Sequence, residues 1–144
     1  GVSNFSVYQH QLLVSFLNIP IVSNHIDLNL LNTSALDNGI VDYIKQKYMR
    51  PLAVSPLAGG RIEHGTDEQA LKLRKKLNEM ATKYDSNIES VAVAWLIKLG
   101  ALPLIGTLEE NRIQNIVDAF AIEMDHQDWY ELYNTSRPAP AVLD

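Results

Sequence analysis

Small polar residues and glycines recur where short apolar runs end. Ser3-Asn4 closes the first run, Asn24-His25 the second, and Gly106-Thr107 the last. The third run, Leu52-Ala53-Val54, passes through Ser55-Pro56-Leu57-Ala58 into Gly59-Gly60. Pro56 cannot donate to a sheet ladder and stops a strand. Paired glycines then let the backbone bend sharply and lie close to a ligand. A buried strand that opens into such a loop is where α/β proteins place their ligands. Taken alone, the stretch is equally an ordinary strand-to-loop exit. Of the four histidines, only His25 falls on this series of strand ends, which makes it a candidate contact. Arg61, just past the glycines, is a candidate phosphate contact or a solvated loop residue.

Other chemistries lack their fingerprints. No His pair stands at metal-ligand spacing, and there is no cysteine. Neither the P-loop nor the Gly-x-Gly-x-x-Gly motif occurs. Net charge is −5 and no basic run is present, which argues against a protein that tracks nucleic-acid phosphates. No apolar run approaches the roughly 20 residues of a membrane span. Absent cysteine and absent leader fit a reducing, cytoplasmic setting.

The elements that must hold these residues follow from periodicity. The 144 residues suit a single domain, ending in a proline-containing tail over 137–144. Ser6 caps a helix to about Asn18, with Leu12, Leu13, Phe16 and Leu17 on one face. Ile21–Asn24 reads as a strand, and Asn29–Ser34 as a polar loop. Ile40, Val41, Ile44 and Tyr48 give the buried face of the next helix. Thr66-Asp67-Glu68-Gln69 and Ser86-Asn87-Ile88-Glu89 have the form of capping boxes before two long helices. Leu102–Ile105 is a further strand, with Pro103 expected among its first residues. Helices over Glu109–Phe120 and from Asp125 onward close the chain, with Trp129, Leu132 and Tyr133 facing inward. Strands separated by helices imply right-handed crossovers and a parallel sheet. Polar groups on every strand end then share one rim, as in a (β/α) barrel, although four strands are too few to close one. An open flavodoxin-like sheet is the alternative.

In register, the four motifs resemble the aldo-keto reductases. They are Gly1-Val2-Ser3-Asn4-Phe5, Asn24-His25-Ile26-Asp27, Pro51 to Gly60, and Leu104-Ile105-Gly106-Thr107 with Arg112. The match runs over nearly the whole chain and is to the C-terminal half of the barrel. Ser55-Pro56-Leu57-Ala58-Gly59-Gly60 with Trp129-Tyr130 is most similar to the bacterial YdhF-like oxidoreductase subgroup. The resemblance implies half of a TIM (β/α)8 barrel, with four parallel strands, the first one clipped. It implies an NADPH cofactor and, in an intact enzyme, a small carbonyl substrate. Ser3, Asn4 and His25 would meet the nicotinamide carboxamide, and Val54 its ring. Ser55, Leu57, Gly59 and Gly60 would wrap the pyrophosphate. Gly106, Thr107 and Arg112 would meet the adenosine 2′-phosphate.

The chain departs from the family pattern in four places. His25 stands where Gln is usual, Val54 where an aromatic is usual, and Gly106 where Lys is frequent. Asn115-Ile116 replaces a Glu-Asn pair. The family's catalytic Asp, Tyr, Lys and His belong to strands that would precede Gly1. No catalytic residue is therefore carried over, and the chain alone is expected to be inactive. Two unpaired sheet edges imply pairing with the other half-barrel or with a second copy. A non-catalytic, self-associating interaction module is the rival reading.

Overall fold

The computed structural model describes residues 1–137. The expected tail therefore lies, apart from Arg137, outside the described residues. Four parallel strands form one sheet: β1 (Val2–Ser3), β2 (Ser23–Asp27), β3 (Arg50–Val54) and β4 (Leu102–Pro103). Their spatial order is their chain order. A flavodoxin-like sheet would reverse direction at a central strand, whereas a barrel wall advances steadily. The observed order is that of a barrel wall.

The helices are α1 (Val7–Val14), α2 (Ser34–Asp37), α3 (Ile40–Gln46), α4 (Arg61–His64), α5 (Glu68–Lys83), α6 (Ile88–Leu99), α7 (Glu110–Asp118) and α8 (His126–Ser136). Ser6 begins α1 as the expected cap, and the structure adds a full capping box. Its hydroxyl accepts from the Gln9 N–H at 3.3 Å, and its own N–H donates to Gln9 Oε1 at 2.9 Å. Gly100, at φ 90°, ends α6 as a residue without a Cβ can.

Burial alternates along the two long strands. Asn24 and Ile26 of β2, and Pro51 and Ala53 of β3, face the helices and are buried. Their neighbours Ser23, His25, Leu52 and Val54 are more open. One face of the sheet is thus packed, and the other is left uncovered by the described residues.

The second strand lies further along the chain than Ile21–Asn24. A buried amide makes this register possible. Asn24, 1% exposed, donates to the Phe5 carbonyl at 2.9 Å and accepts from the Phe5 N–H at 3.4 Å. A polar side chain so bonded is tolerated in mid-strand.

The segment expected as a polar loop, Asn29–Ser34, is largely buried: Asn29, Leu30, Leu31 and Thr33 all pack inside, as does Leu28 just before it. Tyr48, expected to face in, is 98% exposed. Helix α3 stops at Gln46, the chain turns through Tyr48 at φ 54°, and Met49 takes the buried place.

The caps of α5 and α6 shift by one residue. Asp67 accepts from the Ala70 N–H at 3.1 Å, and Asn87 from the Ser90 N–H at 2.9 Å. Arg61 forks onto Asp67, with Nε at 3.0 Å and Nη2 at 2.9 Å, so it is committed to a carboxylate. With the Ala70 N–H, this holds the Asp67 carboxyl down at about 2.

Pro103 ends the two-residue strand β4 rather than opening a longer one. On an edge strand a missing donor is tolerated. The Leu104 N–H still donates to Ala53 at 2.9 Å.

The core lies between the sheet and α3, α5, α6 and α8. Helix α6 is buried continuously from Glu89 to Leu96, as a helix inside a domain must be. Trp95 and Trp129 clasp α6 to α8. Each indole N–H donates to the other's carbonyl, at 3.1 and 3.0 Å, and the rings stack with centroids 5.0 Å apart. Helix α1 ends short of Asn18, and its apolar face is not a core face. Tyr8, Leu12 and Phe16 are all strongly exposed. No helix among the described residues is long and apolar enough to cross a membrane.

Candidate functional site

The loops that follow β3 and β4 enclose an open cavity of about 560 Å3. Val54, Ser55, Leu57, Gly59, Gly60, Gly106, Thr107 and Arg112 all line it, as do Ile105 and Ile116. Eight residues singled out in the sequence thus meet at one place.

The β3 loop is shaped by backbone conformation. Ser55, Ala58, Gly59 and Gly60 all have positive φ, of 51°, 53°, 62° and 87°. Such a run costs little at glycine and more at Ser55 and Ala58, so the surroundings must hold it. Two internal bonds do so: the Ala58 N–H donates to Ser55 at 2.8 Å, and the Gly60 N–H to Leu57 at 3.1 Å.

A third anchor comes from a residue the sequence did not single out. Asn29, 2% exposed, donates to the Ser55 carbonyl at 3.1 Å and accepts from the Leu31 N–H at 2.9 Å. It ties the β3 loop to the end of β2. The available signal was one amide set among Leu28, Leu30 and Leu31.

The remaining wall comes from the segment after β4. The Thr107 hydroxyl accepts from the Glu109 N–H at 3.1 Å and so shapes the approach to α7. An added Cβ at Gly59 or Gly106 would meet no atom within 4 Å, so both positions face open space. Among the described residues that space is bordered by the apolar side chains of Val54, Leu57, Ile105 and Ile116, by the backbone of Gly59, Gly60 and Gly106, and by the Arg112 guanidinium.

Arg112 is not free at this wall. Its Nε and Nη2 both lie 2.8 Å from Glu89 Oε1. Glu89 sits in the first turn of α6 and is buried. Its other oxygen accepts from Asn115 Nδ2 at 2.9 Å. Asn115 is fixed in turn: Asn87 donates to its side-chain oxygen at 3.1 Å, and the Ser90 hydroxyl to its backbone carbonyl at 2.7 Å. The capping-box reading had assigned Glu89 to its own helix end. Its actual partners lie on α7, 23 and 26 residues away.

Ser3 and Asn4 lie at the end of β1, and His25, expected at a strand end, is the middle residue of β2 beside them. Ser3 pairs with His25 in register, and the Asn4 N–H donates to the His25 carbonyl at 2.7 Å. Asn4, at φ 53°, lines a second cavity of about 390 Å3 between the start of α1 and the loop after β2. Asp27 stands between the two groups. It is level with Val54 across the β2–β3 pair and accepts from Asn32 at 2.9 Å. No cluster of His, Asp and Glu able to hold a metal occurs among the described residues.

The family model described as "Aldo/keto reductase family" matches residues 1–136. The chain belongs to the aldo/keto reductase family. Among curated relatives, it is 34% identical over 135 residues to the 6-dehydroglucose reductase of Agrobacterium fabrum, covering 92% of this chain and 44% of that protein. It is 33% identical over 135 residues to the oxidoreductase YdhF of Escherichia coli, covering 92% and 45%. The chain therefore spans about half the length of the curated relatives it matches.

Among solved structures, it overlays the thermostable aldo-keto reductase Tm1743 in complex with the inhibitor epalrestat. The TM-score is 0.79 at 22% identity, over 94% of this chain and 47% of that one. It also overlays an aldo-keto reductase, AKR2E5, complexed with NADPH. Here the TM-score is 0.79 at 25% identity, over 94% and 41%. The fold is half of a (β/α)8 barrel, four parallel strands with flanking helices.

Proposed function

We propose that this chain is the cofactor-binding half of an aldo-keto reductase and takes a reduced nicotinamide dinucleotide, NAD(P)H, in the cavity after β3 and β4. One observation carries the reading: Val54, Ser55, Leu57, Gly59, Gly60, Gly106, Thr107 and Arg112 converge on a single cavity. Loops after the last two strands of such barrels are a frequent place for phosphate binding.

In this reading the Ser55–Gly60 loop meets the pyrophosphate with backbone N–H groups. Thr107 and Arg112 lie at the adenosine end. Ser3, Asn4 and His25 answer the carboxamide, which offers one acceptor and two donors. Val54 covers the ring. When bound, the dinucleotide supplies a hydride for reduction of an aldehyde or ketone carbonyl. This chain's residues bind and orient; none is assigned the role of general acid.

Isothermal titration of the full chain with NADPH and NADH tests the proposal. Saturable binding of at least one, weakened in Arg112→Met, is the expected result. No binding of either would sink it.

A second reading, a non-catalytic half-barrel that self-associates, is favoured by the exposed apolar face of α1 and the uncovered face of the sheet. In the first reading those same surfaces meet the other half-barrel.

A further inference from the structure

The adenosine end of the cavity carries a charge arrangement that the resemblance did not anticipate. Among the described residues, Arg112 is the sole charged side chain lining the cavity. Two of its donor nitrogens are already satisfied by Glu89 at 2.8 Å. Glu89 is 7% exposed on its side chain, against 29% for Arg112. The carboxylate cannot readily swing aside, because Asn115 holds its second oxygen and Asn87 and Ser90 hold Asn115. Two further acids, Glu109 and Glu110, come two and three residues after Thr107.

These facts bear on one chemical question, the substituent at the adenosine 2′ position. A 2′-phosphate brings close to two negative charges and needs a cation with charge to spare. Here the guanidinium is compensated in advance by a fixed carboxylate one side chain away, and that carboxylate repels an incoming phosphate. A 2′-hydroxyl brings no charge and can accept from the guanidinium edge that Glu89 leaves free. In an unrelated class of dinucleotide-binding fold, a carboxylate selects the 2′-hydroxyl and an arginine accommodates the 2′-phosphate. In this chain the two residue types are present together and bonded to each other.

We propose that the Glu89–Arg112 pair makes this site a reader of the 2′-hydroxyl. The chain then takes NADH at least as well as NADPH, and Glu89 sets that choice by acting through Arg112. The proposal rests on the reading of the cavity as a dinucleotide site and revises its expected preference for NADPH. Glu89→Gln keeps the shape and an acceptor for Arg112 but removes the charge.

The test is parallel calorimetric titration of the full chain with NADH and NADPH. In the wild-type chain the dissociation constant for NADH should equal or fall below that for NADPH. In Glu89→Gln the ratio should move about tenfold or more toward NADPH, the scale of one charge-assisted hydrogen bond. Adding Arg112→Met to Glu89→Gln should abolish that gain. A merely structural role for Glu89 would weaken both dinucleotides together and leave the ratio unmoved.

A wild-type preference for NADPH of tenfold or more overturns the proposal. So does an unchanged ratio in a Glu89→Gln chain whose circular dichroism shows it folded. The wild-type ratio decides the matter even where the variant does not fold. Absence of saturable binding by either dinucleotide is the distinct result that removes the cofactor-site reading, and this proposal with it.

Discussion

The two ends of the chain satisfy their apolar residues in opposite ways. At the C-terminal side, α6 is buried through Leu96, and Trp95 is wholly enclosed between partners on α8. Asp128, also buried, accepts from Lys83 Nζ at 2.6 Å and from the Tyr84 hydroxyl, so even the charged groups there are paired. At the N-terminal side, β1 is two residues long, α1 turns Tyr8 and Leu12 outward, and Phe16 just beyond it is exposed too. One region is a finished core. The other carries the composition of a core without its cover. Apolar periodicity therefore identifies a face that seeks burial, but it does not say which chain supplies the partner.

The largest effect expected from this contrast is on stability. Trp95→Ala removes a buried ring, its stacking and one of two reciprocal hydrogen bonds, and should cost about 3–5 kcal/mol. Phe16→Ala, 79% exposed, should cost no more than about 0.5 kcal/mol. Chemical denaturation followed by circular dichroism measures both. Equal costs would erase the distinction between the two ends.

An intermediate effect concerns His10, the buried residue of α1. His10 is 5% exposed, its Nδ1 lies 2.9 Å from the Tyr43 hydroxyl on α3, and its Nε2 has no partner among the described residues. Burial, then the charge of Lys47, holds its imidazole below the ordinary value of 6.5. The imidazolium carries an N–H on both nitrogens, and the one at Nε2 meets no acceptor among the described residues. The unfolded chain thus takes up the proton first as pH falls. The stability from neutral His10 is complete above 6.5 and is lost as pH drops through the depressed folded value. Hydrogen exchange in α1, corrected for intrinsic rates, should quicken between pH 7.5 and 5.5. His10→Phe should flatten that dependence, and an unchanged slope in the variant would assign it to other groups.

The smallest effect on stability carries the most information about association. Leu12→Ser with Phe16→Ser should leave the unfolding midpoint nearly unmoved while lowering the mass seen by light scattering. A wild-type chain that is already monodisperse as a monomer would remove self-pairing through this face.

Much of the architecture was legible because it rests on local rules. Ser6 before α1 and Asp125 before α8 are short-range signals, and each holds in the structure. The convergence on the cavity was legible because the small polar residues end successive parallel strands. What was missed depends on partners remote in the chain. Asn24 looked like a strand end until Phe5, 19 residues away, satisfied its amide. Glu89 looked like a capping residue until Arg112 and Asn115 came within 3 Å of it. Tyr48 fell on the periodic stripe of α3, but the helix had already stopped. Asp67 displaced Thr66 as a cap because Arg61 fixed its carboxylate in place.

The clasp between α6 and α8 also decides what light can report. The chain has two tryptophans, and both indoles belong to that one stacked pair. Intrinsic emission is therefore a single-site signal, sensitive to the parting of α6 from α8 and blind to the N-terminal edge. A thermal scan read at tryptophan wavelengths would show one sharp transition even where α1 had already come away.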